Sequence, residues 1–226
     1  MSHDPNYKAT FVILDDIEAH GLVQFNKEYL DEGFFKNFID FQKAFSYSIS
    51  ELVSKLDTFQ ANYNEMVILA IYSELSYINS NLEVIKQFLK IIVNPTMIKG
   101  GFDENTTLNQ ILKRVCNKMR YPEKLKNSIK GLFLVDFKNA IDNQHYLIYK
   151  NGELIIYPKD EKMKKYLNIK DLVDNALQVM TILDAMLDWS NGKVKPIDKK
   201  TVALDTVVRD FTKQVEKLDK KLDRLS

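Results

Sequence analysis

The stretch Glu65–Val93, EMVILAIYSELSYINSNLEVIKQFLKIIV, decides the fold class. Val67, Ile71, Leu75, Ile78, Leu82, Ile85, Leu89 and Ile92 recur in steps of four and three, which lines one face of an α-helix with apolar side chains. Asn64 offers an N-cap in front of it. Asn94-Pro95 ends it, because the residue before a proline avoids the helical region and the proline has no N–H to continue the ladder. Upstream, Phe38, Phe45, Leu52 and Phe59 recur every seven residues, with Ile49 and Leu56 between them. That pattern predicts a helix from Phe34 to about Phe59 or Asn62. Residues 1–33 show no clear period beyond the apolar run Phe11–Leu14, and they read as an N-terminal leader lying over the body.

Downstream, Lys99-Gly100-Gly101 signals a loop, and Thr106 or Thr107 can cap a helix carrying Leu108, Ile111, Leu112, Val115 and Met119. Tyr121-Pro122 breaks that helix, and a further one is expected from Glu123 to about Asp142. From His145 to Tyr157 the grammar changes to two β-prone runs around Asn151-Gly152, a hairpin signal. Ile169–Trp189 returns to helical spacing, and Asn191-Gly192 with Pro196 marks its end. In residues 201–226, Leu204, Val208, Phe211, Val215, Leu218, Leu222 and Leu225 form an a/d seam over three heptads. Such a helix either lies along the body or associates with another chain. The expected fold is all-α: an antiparallel helical bundle over 34–192 with one small β-hairpin, then a linker and amphipathic helix over 193–226.

Composition narrows the chemistry. The 226 residues carry 32 Lys+Arg against 31 Asp+Glu, a net charge of +1, which argues against a polybasic tail or anchor. Seven Gly and five Pro are too few for a turn-rich sandwich or a Gly-rich nucleotide fold. A single Cys excludes an intrachain disulfide and a cysteine zinc site, and His3, His20 and His145 are far apart in sequence. Asp15-Asp16 and Asp136/Asp142 form no dense carboxylate cluster, so no metal or other cofactor is expected. No apolar run reaches the roughly 18 residues of a membrane span, and the first residues lack the pattern of a secretory signal. The expected location is the cytoplasm, without membrane attachment.

One polar constellation stands out. Lys138, Asn139 and His145 lie at the passage from helix to hairpin, and on a continuous helix Lys138 and His145 would share a face two turns apart. A cation, an amide and an imidazole suit metal-independent RNA cleavage: His moves a proton while Lys stabilises phosphate charge. The alternative is that Lys138 is a solvated helix charge, Asn139 a polar face residue and His145 the first residue of a hairpin. Cys116 and Trp189 read as core and helix anchor.

The stretch from about 66 to 190 resembles the HEPN superfamily of helical domains. The resemblance is carried by the long ILAIYSELSYINSNLEVIKQFL helix, the TLNQIL helix, and VDFKNAIDN followed by YLIYKNGELIIY. The family signature is Arg, often followed by Asn, with four to six residues between the Arg and a His; it reads Lys138-Asn139-AIDNQ-His145 in this chain, with six residues between. The resemblance implies a homodimer with two motifs facing a shared cleft, RNA as ligand, and Lys138, Asn139 and His145 as catalytic positions. Lys138 replaces the Arg and cannot fork two hydrogen bonds onto a phosphate in the same way. In the compact register Asn143 stands where the His would be. Both departures imply a degenerate ribonuclease motif in an RNA-binding or assembly module. The other expectations are an active metal-independent endoribonuclease of a defence or toxin–antitoxin system, or a non-enzymatic protein–protein interaction module holding a partner through 201–226. A nucleic-acid binder using the Lys-rich run Lys159–Lys165 is a further reading, with affinity that falls steeply with salt.

Overall fold

The computed structural model describes residues 4–24, 63–149, 153–157 and 164–193. The expected helix over 34–62, the Asn151-Gly152 turn, most of the Lys159–Lys165 run and the heptad tail at 201–226 lie outside the described residues. The described chain is mainly helical, with one small antiparallel sheet. The helices are α1 Pro5–Ala19, α2 Tyr63–Ile92, α3 Leu108–Lys118, α4 Glu123–Leu132, α5 Val135–Asp142 and α6 Ile169–Lys193. The strands are β1 Tyr146–Ile148, β2 Leu154–Ile156 and β3 Lys165–Leu167.

The long α2 forms where its period predicts. Ile71, Ile78, Ile85 and Ile92 are fully buried, and so are Leu82, Phe88 and, within a few per cent, Leu75 and Leu89. Each such side chain withdrawn from water contributes about 1.5–3 kcal/mol before conformational entropy is counted. So wide an apolar stripe is shared between neighbours, and α2 packs on α6 along one side and on α3 and α5 along others. Thr107 caps α3 through a capping box with Gln110, each side chain meeting the other's backbone N–H. Asn168 and Asp171 exchange the same pair of bonds at the start of α6. Cys116 and Trp189 are buried, as their positions on apolar faces suggest.

Asn64 lies inside α2 and does not cap it, and α6 runs through Asn191-Gly192 to Lys193. The structure departs further from the sequence reading at three places. Pro5–Ala19, within the stretch that shows no clear period, is a helix packed along α6. Its start is fixed by Asp4, whose carboxylate accepts from the backbone of Asn6 and Tyr7, with Pro5 at the first helical position. Its end is a Schellman turn in which Gly21, at φ +66°, lets Leu22 N–H reach Ile17 O. The segment expected as one helix from Glu123 to Asp142 is two, because Leu134 adopts a left-handed conformation at φ +47°. The expected two-stranded hairpin gains a third strand: Tyr146, Leu147 and Ile148 pair with Ile156, Ile155 and Leu154, and these pair with Lys165, Tyr166 and Leu167. Leu154 and Ile156 face inward and are buried, while Leu147 and Tyr166 face outward and are exposed.

The left-handed positions define a pair of opposite stability effects. Nothing lies within 4 Å of a Cβ built on Gly21, so Gly21→Ala meets only the backbone penalty and is expected to cost about 1 kcal/mol. Gln144 is exposed at φ +56°, and Gln144→Gly is expected to stabilise by up to about 1 kcal/mol. Urea unfolding of both variants checks the signs.

Candidate functional site

The α5 helix ends abruptly, and that ending places the three sequence-predicted residues. His145 N–H donates to Ala140 O at 2.7 Å and Gln144 N–H to Ile141 O at 3.0 Å, a second Schellman turn with Gln144 in the left-handed position. The helix therefore stops at Asp142, and His145 belongs to the sheet: its carbonyl accepts from Tyr157 N–H at 2.8 Å. The face shared by Lys138 and His145 on a continuous helix does not form.

Lys138 is only 5 % exposed, so it is not a solvated helix charge. Its Nζ donates to Asp142 Oδ1 at 2.6 Å and to Asn79 Oδ1 at 2.9 Å, and lies 3.5 Å from Glu83 Oε2. Asn79 and Glu83 are one turn apart on α2, so the lysine ties α5 to α2 through an amide and a carboxylate, and to its own helix through a second carboxylate. Glu83 also pairs with Lys86 and accepts from Gln87 Nε2 at 2.9 Å. Burial works against its ionised form, but the Lys86 and Gln87 hydrogen bonds, with the charges of Lys86 and Lys138, hold its carboxyl below the usual range. Asn139 is half-buried, and its carbonyl accepts from Asn143 N–H and from Asn143 Nδ2. His145 is exposed, and among the described residues no hydrogen bond joins its ring to Lys138 or Asn139. What the structure brings together is Lys138 with Asn79, Glu83 and Asp142; His145 stands apart at the sheet.

A second polar group lies in the core and escaped the sequence reading. Glu74 is fully buried on α2, and among the described residues neither carboxylate oxygen has a hydrogen-bond partner. Desolvation pushes its pKa from 4.5 up to about 7. Tyr77, one turn on, is fully buried, and its phenol is pushed well up by burial first and then by the charges of Glu74 and Asp184, with Asn81 opposing. The signal was present: Ile71, Glu74, Ile78, Asn81, Ile85, Phe88 and Ile92 step in threes and fours, so two polar residues occupy seam positions.

The paired acids of α1 hold elements together. Asp15 Oδ1 accepts from Trp189 Nε1 at 2.9 Å, and Asp16 accepts from the Tyr121 hydroxyl. Tyr7 donates to Asp188 Oδ2 at 2.8 Å, and burial together with that carboxylate pushes the phenol up to about 12. Among the described residues no helix is long and apolar enough to cross a membrane. Comparison with protein-family models, curated proteins and solved structures finds no match.

Two outcomes follow from these environments. Lys138→Ala removes a buried stem and the tie between α5 and α2, and is expected to cost about 1–3 kcal/mol in urea unfolding, with Lys138→Met recovering part of the loss. For Glu74 the folded pKa lies above the unfolded one, so the folded state holds the extra proton and stability falls as pH rises from 4.5 to about 7. Glu74→Gln is expected to flatten that part of the profile and to raise stability above about pH 7, by on the order of 3 kcal/mol. Thermal melts across the range check both the slope and its sign.

Proposed function

We propose that the chain is a HEPN-like module that engages RNA as a homodimer without cutting it. The observation that carries the non-cleaving half is the commitment of Lys138: an ammonium already held by Asp142, Asn79 and Glu83, and 5 % exposed, has little left to offer a phosphate. The separation of His145 from that lysine supports the same reading, because general acid–base catalysis needs the imidazole within hydrogen-bond reach of the reacting oxygen while the cation meets the same phosphate. The RNA half rests on the resemblance over residues 66–190, and is supported by exposed Lys164, Tyr149 and Tyr166 on the sheet that His145 adjoins. In this reading the helices form an antiparallel bundle, the protein works in the cytoplasm, and the heptad pattern at 201–226 serves assembly.

The test is incubation of the full chain with structured and single-stranded RNA in EDTA, beside His145→Ala and Lys138→Arg. The expected result is intact RNA with all three proteins, retarded by the wild type and by Lys138→Arg. Cleavage by the wild type that disappears in His145→Ala would establish an active endoribonuclease and overturn the reading.

A further inference from the structure

The register of the sheet sorts its side chains into two faces, since cross-strand partners point to the same side and alternate residues to opposite sides. The inner face carries the buried Leu154 and Ile156, and Lys165 on that side approaches Asp136 of α5 at 3.8 Å. The outer face is built differently. Its middle row is Leu147, Ile155 and Tyr166; Ile155 at the centre is buried, at 5 % exposure, and the flanking Leu147 and Tyr166 are exposed at 51 % and 65 %. One step along the strands, His145 stands opposite Tyr157, joined through Tyr157 N–H to His145 O, and Lys164 lies beyond with its Nζ 5.7 Å from the Tyr157 ring centre. One step the other way, Tyr149 stands opposite Glu153 and is 46 % exposed.

We propose that this outer face is a stacking platform for single-stranded RNA, on which Tyr149, Tyr157 and Tyr166 take bases while Lys164 and His145 meet the backbone phosphates. The proposal rests on the RNA-binding reading above and gives it a site.

Tyr166 lies in β3, while Tyr149 and Tyr157 directly follow the last residues of β1 and β2, so the three fall one to a row and no two are cross-strand partners. Tyr157 and Tyr166 are diagonal neighbours about 8 Å apart, far enough for each ring to receive its own base. Every base has a π-face, so rings presented in this way bind without demanding sequence, and a phenol tip can also bond a 2′-hydroxyl. The charges of the outer face are divided between its ends, with the Glu153 carboxylate in the Tyr149 row and the Lys164 ammonium in the Tyr157 row. The cation-bearing row lies at one end of the platform, Lys164 is exposed, and its charge already rests against one of the stacking rings. The same residues explain why His145 is exposed rather than gathered with Lys138: it belongs to the edge of this surface.

The test is fluorescence anisotropy of the full chain with a labelled, unstructured RNA of roughly 15 nucleotides in EDTA at several salt concentrations. Tyr166→Ala and Tyr149→Ala are each expected to weaken binding about tenfold, because a stacking contact is lost from an exposed position without disturbing the core. Tyr166→Phe keeps the ring and is expected to bind as the wild type does. Lys164→Ala is expected to shallow the salt dependence by about one phosphate contact. Tyr72→Ala, an exposed ring on α2, is the control and is expected to change nothing. RNA bound equally well by the wild type and by the Tyr149→Ala/Tyr166→Ala double variant would overturn the platform and leave the RNA reading standing. No binding by the wild type would overturn both. Loss of self-association in Tyr166→Ala with RNA affinity unchanged would make this face an interface between copies and would overturn the proposal.

Discussion

The burial of α2 on several sides at once is the constraint on which the rest of the described structure depends. Its stripe, from Ile71 to Ile92, is wider than one neighbour can cover, so α6 takes one side while α3 and α5 take others. The chain leaving α1 is tied to its end as well. Gln24 N–H donates to Ile92 O and Asn94 N–H to Leu22 O, pinning the segment after α1 against the last turn of α2. Removing the register of α2 would unfasten described elements that precede it and elements that follow it in sequence.

Polar groups at the edges of that core do structural work of the same kind. Lys138 joins α5 to α2, Asp15 joins α1 to α6 through Trp189, and Asp16 joins α1 to the loop after α3 through Tyr121. Each is a residue whose type suggests chemistry and whose environment assigns it to holding elements in place. A partly buried charged hydrogen bond contributes more than an exposed ion pair, so these few contacts matter more than the surface charges around them.

Much of the fold could be read from the chain because it rests on periodicity. The α2, α3 and α6 helices have strong apolar stripes and explicit stops, and they appear close to where the stripes predict. The start of α1 was legible in principle from Asp4-Pro5 and its end from Gly21, but three buried positions, Thr10, Leu14 and Ile17, make too weak a stripe to register without those caps. The breaks after α4 and α5 were not legible. They depend on Leu134 and Gln144 adopting left-handed backbone angles that such side chains disfavour, so nothing in their residue types announces them. The candidate site was half-legible for the same reason. Lys138 and Asn139 could be placed on a helix, whereas the position of His145 turned on one backbone angle at Gln144. The outer row of tyrosines needed the register of β3, which no two-stranded reading supplies.

The carboxyl of Glu74 gives the core a thermodynamic signature of its own. A group that holds its proton when folded and sheds it when unfolded makes folding, between about pH 4.5 and 7, a reaction that takes up hydrogen ions from the medium. The heat of unfolding measured in that interval then contains the ionisation enthalpy of whatever buffer receives the released proton. A calorimetric trace of this chain would therefore change with the identity of the buffer at constant pH, and the size of that change would give the net number of protons released on unfolding, to which Glu74 contributes.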